Sequence, residues 1–403
     1  MNTVIVLPGT KWQIPLINKL KKRGFKVIVF DYYENQPAYK YADGYEIVNI
    51  LDKEKVYELA QKYKPIAVMS DECDIATPTI AWVSEQMEKP SIGVELAALY
   101  TDKFRMREFM KNNGFATPIF YKCTTVNEAI QKFKSFGEKM IIKPLDGNSS
   151  RGVFSIESEE DIKNHFNKAM SYSKVEKSVL LEEYIEGDEF SIDGIMTNQK
   201  YYSLAISHKK HYSYNENLDQ ELIFKYRDEK YNYDLLRRTN EEYVKKTKLP
   251  FGLTHAEYKY RDGKFYLIEI GARGGGNLIS SVINPNMTGI ETQEALIDWS
   301  ISRKKAECMK IKYADNYKER CALLSFFDIG NREGIIREIK GIDYLEKEKC
   351  IKSFYFEYKK GDTVKKVEDG GNRFGYYIAC CNSLEEIERI KNNVKKEVSI
   401  EFE

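Results

Sequence analysis

The stretch that decides the fold is Leu253-Thr-His-Ala-Glu257-Tyr-Lys-Tyr260, then Arg261-Asp262-Gly263, then Lys264-Phe-Tyr-Leu-Ile-Glu269-Ile-Gly-Ala-Arg273. Both halves read as β-strands joined at a turn. Strand side chains alternate between faces, so His255, Glu257 and Lys259 share one face, and Glu269, Gly271 and Arg273 share another. The register between the strands is open. A two-residue turn at Asp262-Gly263 sets Glu257 opposite Ile268, whereas a three-residue loop centred on Gly263, or one bulge, sets the two glutamates face to face. A solvated hairpin is the bland alternative, but Glu269 lies inside the apolar run Tyr266-Leu-Ile-Glu-Ile270. Two buried carboxylates side by side repel unless a cation or a shared proton lies between them. For oxygen ligands alone the natural cation is Mg²⁺, and Arg273 then supplies fixed charge near a metal-held phosphate.

Upstream, Met140-Ile-Ile-Lys143-Pro144 reads as a strand, Asp146-Gly-Asn-Ser-Ser-Arg-Gly152 as a small-residue loop, and Val153–Ile156 as a returning strand. Small residues let the backbone approach an anion, and Lys143 sits where an ammonium neutralises phosphate. Near the N-terminus Leu7-Pro-Gly-Thr10 lies between a strand and a helix, where parallel α/β sheets bind ligands. It has one glycine where a dinucleotide fingerprint needs three, and no G-x-x-x-x-G-K-[ST] occurs in the chain.

Residues 1–97 alternate short buried strands (3–7, 26–30, 65–69) with helices (11–23, 54–63), which implies a parallel sheet covered on both faces. From Thr101 the pattern becomes α+β. Helices are expected at 102–113, 126–135 and 159–170, and strands at 118–121, 139–143, 152–156, 178–182, 188–197 and 200–207. The polar, Tyr-rich segment 208–234 reads as a mobile loop before a helix at 235–247. The C-terminal part carries strands near 321–327, 335–339, 350–356 and 374–380, then a helix at 383–396. The fold class is therefore α/β plus α+β.

The 403 residues are 42% hydrophobic and 31% charged, with 63 Lys plus Arg against 62 Asp plus Glu, a net charge of +1. Near-neutrality argues against gripping nucleic acid along its phosphates. No apolar run reaches the length of a membrane span, and Met1–Leu7 lacks a signal-peptide pattern. The seven cysteines are scattered without a C-x-x-C pair, and only four histidines are present. The expectation is a cytoplasmic protein with reduced thiols and no zinc site.

Taken together, these motifs resemble the ATP-grasp superfamily, and within it the L-amino acid ligase branch of carboxylate–amine ligases, over nearly the whole chain. The run Tyr100-Thr-Asp-Lys103 is similar to the family's opening helix, whose lysine reaches the nucleotide phosphates. Lys143 matches its second phosphate lysine, and Ser149-Ser150-Arg-Gly152 its mobile glycine-rich loop. Leu181-Glu182-Glu183-Tyr-Ile185-Glu-Gly-Asp-Glu189 is close to the D-alanine–D-alanine ligase version of the hinge. By that likeness Glu182 and the backbone of Glu183 and Ile185 hold adenine, and Glu189 holds the ribose. Glu257 and Glu269 match the metal-bridging acids and Arg273 the catalytic arginine. Many members carry asparagine where this chain has Gly271, which leaves water or Asn277 to complete the metal shell.

The resemblance implies three domains: a Rossmann-like pre-ATP-grasp domain (1–97), an ATP-grasp domain (98–305, with a mobile small lobe at about 115–185), and a small C-terminal α+β domain (306–403). It implies ATP and Mg²⁺ as cofactors, with Mn²⁺ as a substitute ion, and small-molecule carboxylate and amine substrates. Nucleic-acid and membrane partners are not expected; a homodimer is the family's habit. The implied reaction makes an acyl phosphate and ADP, then an amide and phosphate, with His255 beside the acyl phosphate or the substrate carboxylate. The rivals are an ATP-grasp enzyme with another acceptor (purine-pathway or carbamoyl-phosphate-synthetase-like), a nicotinamide-dependent oxidoreductase, and a non-catalytic ATP-binding module. Asp71, Glu72, the segment 208–227 and residues 274–280 are the candidate walls of the substrate pocket.

Overall fold

The computed structural model describes residues 2–146, 151–174, 176–330, 332–367 and 370–403. The N-terminal layer holds β1 (Thr3–Val6), β2 (Lys26–Asp31), β3 (Gly44–Ile47) and β4 (Ala67–Met69), in the order β3-β2-β1-β4 with all pairings parallel. Val4 to Val6 and Val27 to Phe30 are buried, as a sheet sandwiched between helices requires. Gly24, in the left-handed region at φ 79°, stops the helix Ile14–Lys22. The edge strand β3 and the helices Thr77–Gln86 and Val94–Leu99 were not expected from sequence.

The next lobe is an antiparallel sheet of β5 (Phe120–Cys123), β6 (Met140–Pro144), β7 (Phe154–Ile156) and β8 (Val179–Glu183), ordered β5-β8-β6-β7. The helices Val126–Phe136 and Glu159–Tyr172 pack on it. Thr125 caps the first, and Ser158 with Asp161 forms a capping box on the second.

The largest sheet has eight antiparallel strands. Five come from the middle of the chain: β9 (Asp188–Thr197), β10 (Lys200–Tyr212), β11 (Asn215–Phe224), β12 (Gly252–Arg261) and β13 (Lys264–Gly271). The C-terminal part supplies β14 (Cys321–Phe326), β15 (Gly334–Lys340), β16 (Ile351–Phe356), β17 (Thr363–Val364), β18 (Gly375–Cys381) and β19 (Ser399–Phe402). The large sheet runs β13-β12-β9-β10-β11-β14-β18-β16, and β17-β15-β19 forms a small one. Through the pairing of β11 with β14 the sheet crosses the boundary drawn at 305/306 from sequence.

One expectation is corrected here. The segment 208–224 is not a loop: β10 runs on to Tyr212, turns at Ser213-Tyr214, and returns as β11, paired Ser207↔Phe224 through Lys210↔Glu221. Its buried residues mix the apolar Tyr212, Leu218, Leu222 and Phe224 with Lys209 and Glu221, which point to opposite faces and each meet other charges, so it lacks the clean alternation by which strands are recognised. Only 225–232 links it to the helix Tyr233–Thr247. Among the described residues no helix is long and apolar enough to cross a membrane.

Candidate functional site

The β12–β13 hairpin settles the register the sequence left open. The pairing is His255↔Gly271, Ala256↔Ile270 and Glu257↔Glu269, then Tyr258↔Leu267, so Ile268 is the extra residue of a bulge. Glu257 and Glu269 are thus directly opposite each other.

Each of these acids is held by a lysine. Lys103 Nζ donates to Glu269 Oε1 at 2.8 Å. Asp102 caps the helix Lys103–Asn112, accepting from the backbone N–H of Phe104 and Arg105, and so fixes Lys103 at the first helical position. Lys209 Nζ, on β10, donates to Glu257 Oε1 and Glu189 Oε1, both at 2.7 Å, and lies 3.6 Å from Asp219. Burial alone raises the carboxyl pKa of Glu189 and Glu257, but Lys209, together with His211 at Glu189 and His255 at Glu257, outweighs it and holds both below the usual carboxylate range. Glu189, His211 and Asp219 bring ligand atoms within 4.8 Å of one another. Lys209 Nζ lies within the same group, 2.7 Å from Glu189 and 3.6 Å from Asp219, and offsets part of its negative charge.

Lys143, at the end of β6, reaches Glu182 on β8, whose carboxylate also receives Arg107 Nε at 2.8 Å and Nη2 at 3.2 Å. Burial pushes the Lys143 ammonium down to about 8, against the opposing pull of Glu182. Glu182, despite burial, is held at about 2 by Arg107 and Lys143. The side chain of Glu183 turns away to Arg261 and the Ile119 backbone, while Ile185 is buried just beyond β8.

Arg273 follows β13 and is gripped by Asp74 of the N-terminal layer, Nε to Oδ1 at 2.9 Å and Nη2 to Oδ2 at 2.7 Å. His255 Nδ1 lies 2.9 Å from Asp193 Oδ2, and its Nε2 is 3.7 Å from Glu257 Oε1. Burial disfavours the charged imidazole, but Asp193 and Glu257 prevail and raise its pKa.

Glycines make this crowding feasible. A Cβ at Gly274 would lie 2.4 Å from Asp71 Oδ1, and one at Gly275 would lie 2.7 Å from Asp193 Oδ1. A Cβ at Gly276 would meet nothing within 4 Å. Asp71 accepts from Gln293 Nε2 at 2.9 Å. Glu72, in the left-handed region at φ 58°, accepts from the N–H of Leu278 and the hydroxyl of Ser281. Burial, then Asp71, pushes the Glu72 carboxyl well above its ordinary range. A non-glycine residue held there marks a conformation that the surroundings enforce.

Of the residues named from sequence, Lys103 pairs with Glu269, Lys143 with Glu182 and Arg273 with Asp74, while Glu189 and Glu257 share Lys209, with His255 beside Glu257. These four sets are separate pairings that lie close enough for their charges to act on one another, in one electrostatic cluster. Gly152 lies at its margin at φ 75°, against Tyr172. Ser149 and Ser150 lie outside the described residues. Asn277 forms no hydrogen bond with Glu257 or Glu269 among the described residues. Sequence reading missed Arg107, Lys209, Asp74 and Asp193. Only Arg107 carried a signal, falling four residues after Lys103 on one helix face.

The ATP-grasp domain family matches residues 136–281, and the L-amino acid ligase C-terminal domain 2 family matches 327–403. Among curated proteins the chain is similar to the formate-dependent phosphoribosylglycinamide formyltransferase of Bacillus subtilis, 26% identical over 184 residues, 45% of this chain and 48% of that protein. The enzyme of the same name from Methanococcus maripaludis is 28% identical over 179 residues, 43% of this chain and 45% of that protein. The chain thus spans about half the length of the curated relatives it matches. Among solved structures, the L-amino acid ligase from Bacillus licheniformis superposes with a TM-score of 0.83 at 18% identity, covering 100% of this chain and 99% of that one. Phosphoribosylglycinamide synthetase from Anaerococcus prevotii superposes with a TM-score of 0.75 at 18% identity over 100% of both chains. These likenesses show the fold.

Proposed function

We propose, from the premise that the chain carries an ATP-grasp domain joined to an L-amino acid ligase C-terminal domain, that it is an ATP- and Mg²⁺-dependent ligase coupling a carboxylate to an amine. The observation that carries this reading is Glu257 directly opposite Glu269, with Lys103 paired to Glu269 and Lys143 and Arg273 near enough for their charges to act on that group. Paired oxygen donors on facing strands fit a hard divalent cation. Glu257 and Glu269 would hold Mg²⁺, or Mn²⁺ as its substitute, and the bound ion would supply positive charge to the phosphate oxygens.

In this reading Lys103 and Lys143 bind the nucleotide phosphates, Glu189 receives the ribose hydroxyls, and the strand end Glu182–Ile185 takes the adenine. The substrate carboxylate attacks the γ-phosphorus, giving an acyl phosphate and ADP. The amine then adds to the acyl carbon, and phosphate leaves as the amide forms. The chain's contribution is placement and charge. Arg273, kept in place by Asp74, faces the charge that develops on the transferring phosphoryl group. His255, oriented by Asp193, stands beside the acyl group. Ser149, Ser150 and Gly152 belong to the loop that excludes water from the acyl phosphate. Asp71 and Glu72 wall the substrate side, and the expected setting is the cytoplasm.

A second reading, favoured by the likeness to the formyltransferases, has formate as the acid and the amine of phosphoribosylglycinamide as the acceptor. The test is ADP release from Mg·ATP over pools of amino acids and small carboxylic acids, formate with phosphoribosylglycinamide included, with masses of products. ADP with a new amide mass in an amino acid pool supports the ligase reading. ADP only with the formate pair supports the second. Nucleotide bound but never turned over in any pool overturns both.

A further inference from the structure

Arg107 has no exposed side-chain surface and spends its donors on two parts of the molecule that the function requires to act together. Two donors go to Glu182, which in turn holds Lys143 of the small lobe. Nη2 also donates to the carbonyl of Ile268 at 2.8 Å. Ile268 is the extra residue of the β13 bulge and has no residue opposite it on β12, and β13 is the edge of the sheet, so Arg107 reaches its carbonyl from outside the ladder. That bulge is what sets Glu269 opposite Glu257. Without it, period-two alternation would carry Glu269 to the other face.

We propose that Arg107 is a positioning residue: it fixes the bulge that pairs the two acids and, through Glu182, the place of Lys143, so that one guanidinium registers the small lobe against the acid-bearing strand. The proposal rests on the nucleotide reading above for its consequence, though not for its geometry. Lysine cannot replace arginine here, because three acceptors in different directions need the planar fork.

The test is Arg107→Lys, which keeps the charge, read by hydrogen exchange on the ligand-free protein and by calorimetry with Mg·ADP. Exchange across residues 264–273 should rise, and Mg·ADP should bind at least about tenfold more weakly, as loss of a charged hydrogen bond implies. A residue that only balances the charge of Glu182 would leave exchange at 264–273 unchanged, and that result overturns the proposal. Should Arg107→Lys fail to fold, Lys143→Met removes only the Lys143 arm and leaves the contacts of Arg107 with Glu182 and Ile268 in place. Exchange at 264–273 should then stay as in the wild type, and a rise there overturns the proposal, because the bulge would follow the charge on Glu182 rather than Arg107. If the wild-type chain binds no Mg·ADP, the nucleotide reading falls, while the exchange experiment still decides the role of Arg107.

Discussion

Asp74 grips Arg273 with both carboxylate oxygens, so a residue of the N-terminal layer fixes the guanidinium at the end of the acid-bearing strand β13. Burial lowers the arginine pKa and the pairing raises it further still, so the charge is permanent. Asp74→Asn keeps the shape and removes the charge. Turnover should fall roughly ten- to a hundredfold, the worth of a charge-assisted hydrogen bond. Mg·ADP affinity should be unchanged. Steady-state ADP release and calorimetry check this, and a matching loss in both would move Asp74 from positioning to nucleotide binding.

Gly271 explains the departure from the asparagine that the family resemblance leads one to expect. A Cβ there would lie 2.3 Å from Asp74 Oδ1 and 3.3 Å from Arg273 Nε. The Asp74–Arg273 pair occupies the space an asparagine would need. Gly271→Asn should therefore displace Asp74 and lower turnover about as much as Asp74→Asn does, and the two should not add, because they break one contact. Additive losses in ADP release would show that Gly271 acts elsewhere.

Burial, against the pull of Glu182, pushes the Lys143 ammonium down to about 8. A lysine lowered to about 8 is charged below that pH and neutral above it. Phosphate prefers the charged form, so nucleotide binding should be strongest on the acid side and weaken as pH rises through 8 to 9. Mg·ADP titrations from pH 6.5 to 9.5 should show this, with proton uptake near pH 8 visible as a dependence of the heat on buffer ionisation. Lys143→Arg, which stays charged, should flatten the profile.

Much of this was legible because the β-rich runs and their glycine boundaries are local signals. The strands β6, β8, β9, β12 and β13 fall where the sequence places them. What was not legible is what depends on distant partners. The β12–β13 register turns on a bulge at Ile268 whose carbonyl is satisfied by Arg107, a residue 161 positions earlier. The β10–β11 hairpin reads as a loop because Lys209 and Glu221 interrupt its apolar pattern, one on each face of the sheet, and both are buried against opposite charges far away in the chain or on neighbouring strands. Asp74 and Asp193 stand in unremarkable contexts and gain meaning only from Arg273 and His255.

Lys209 offers the sharpest test of that buried charge. Its side chain is 3% exposed and lies among Glu189, Glu257 and Asp219. Lys209→Met removes the cation and leaves the three carboxylates facing one another. Breaking a buried ion pair from one side costs about 3–5 kcal/mol, so the midpoint of thermal unfolding at pH 7.5 should drop. The sign of the pH dependence follows from the carboxylates. In the wild type, Glu189 and Glu257 have lowered pKa values, so their contribution is present at neutral pH and is lost on acidification. In the variant, mutual repulsion raises the folded-state values, and that cost fades as the groups protonate. The wild-type loss sets in only below the ordinary carboxylate value of about 4.5, so as pH falls from 7.5 to 5 the gap between variant and wild type narrows through the variant's protonation alone. Added Mg²⁺ should raise the melting temperature of the variant more than that of the wild type, since a divalent cation replaces the missing charge. A gap that stays constant across pH and Mg²⁺ would mean that Lys209 contributes packing alone.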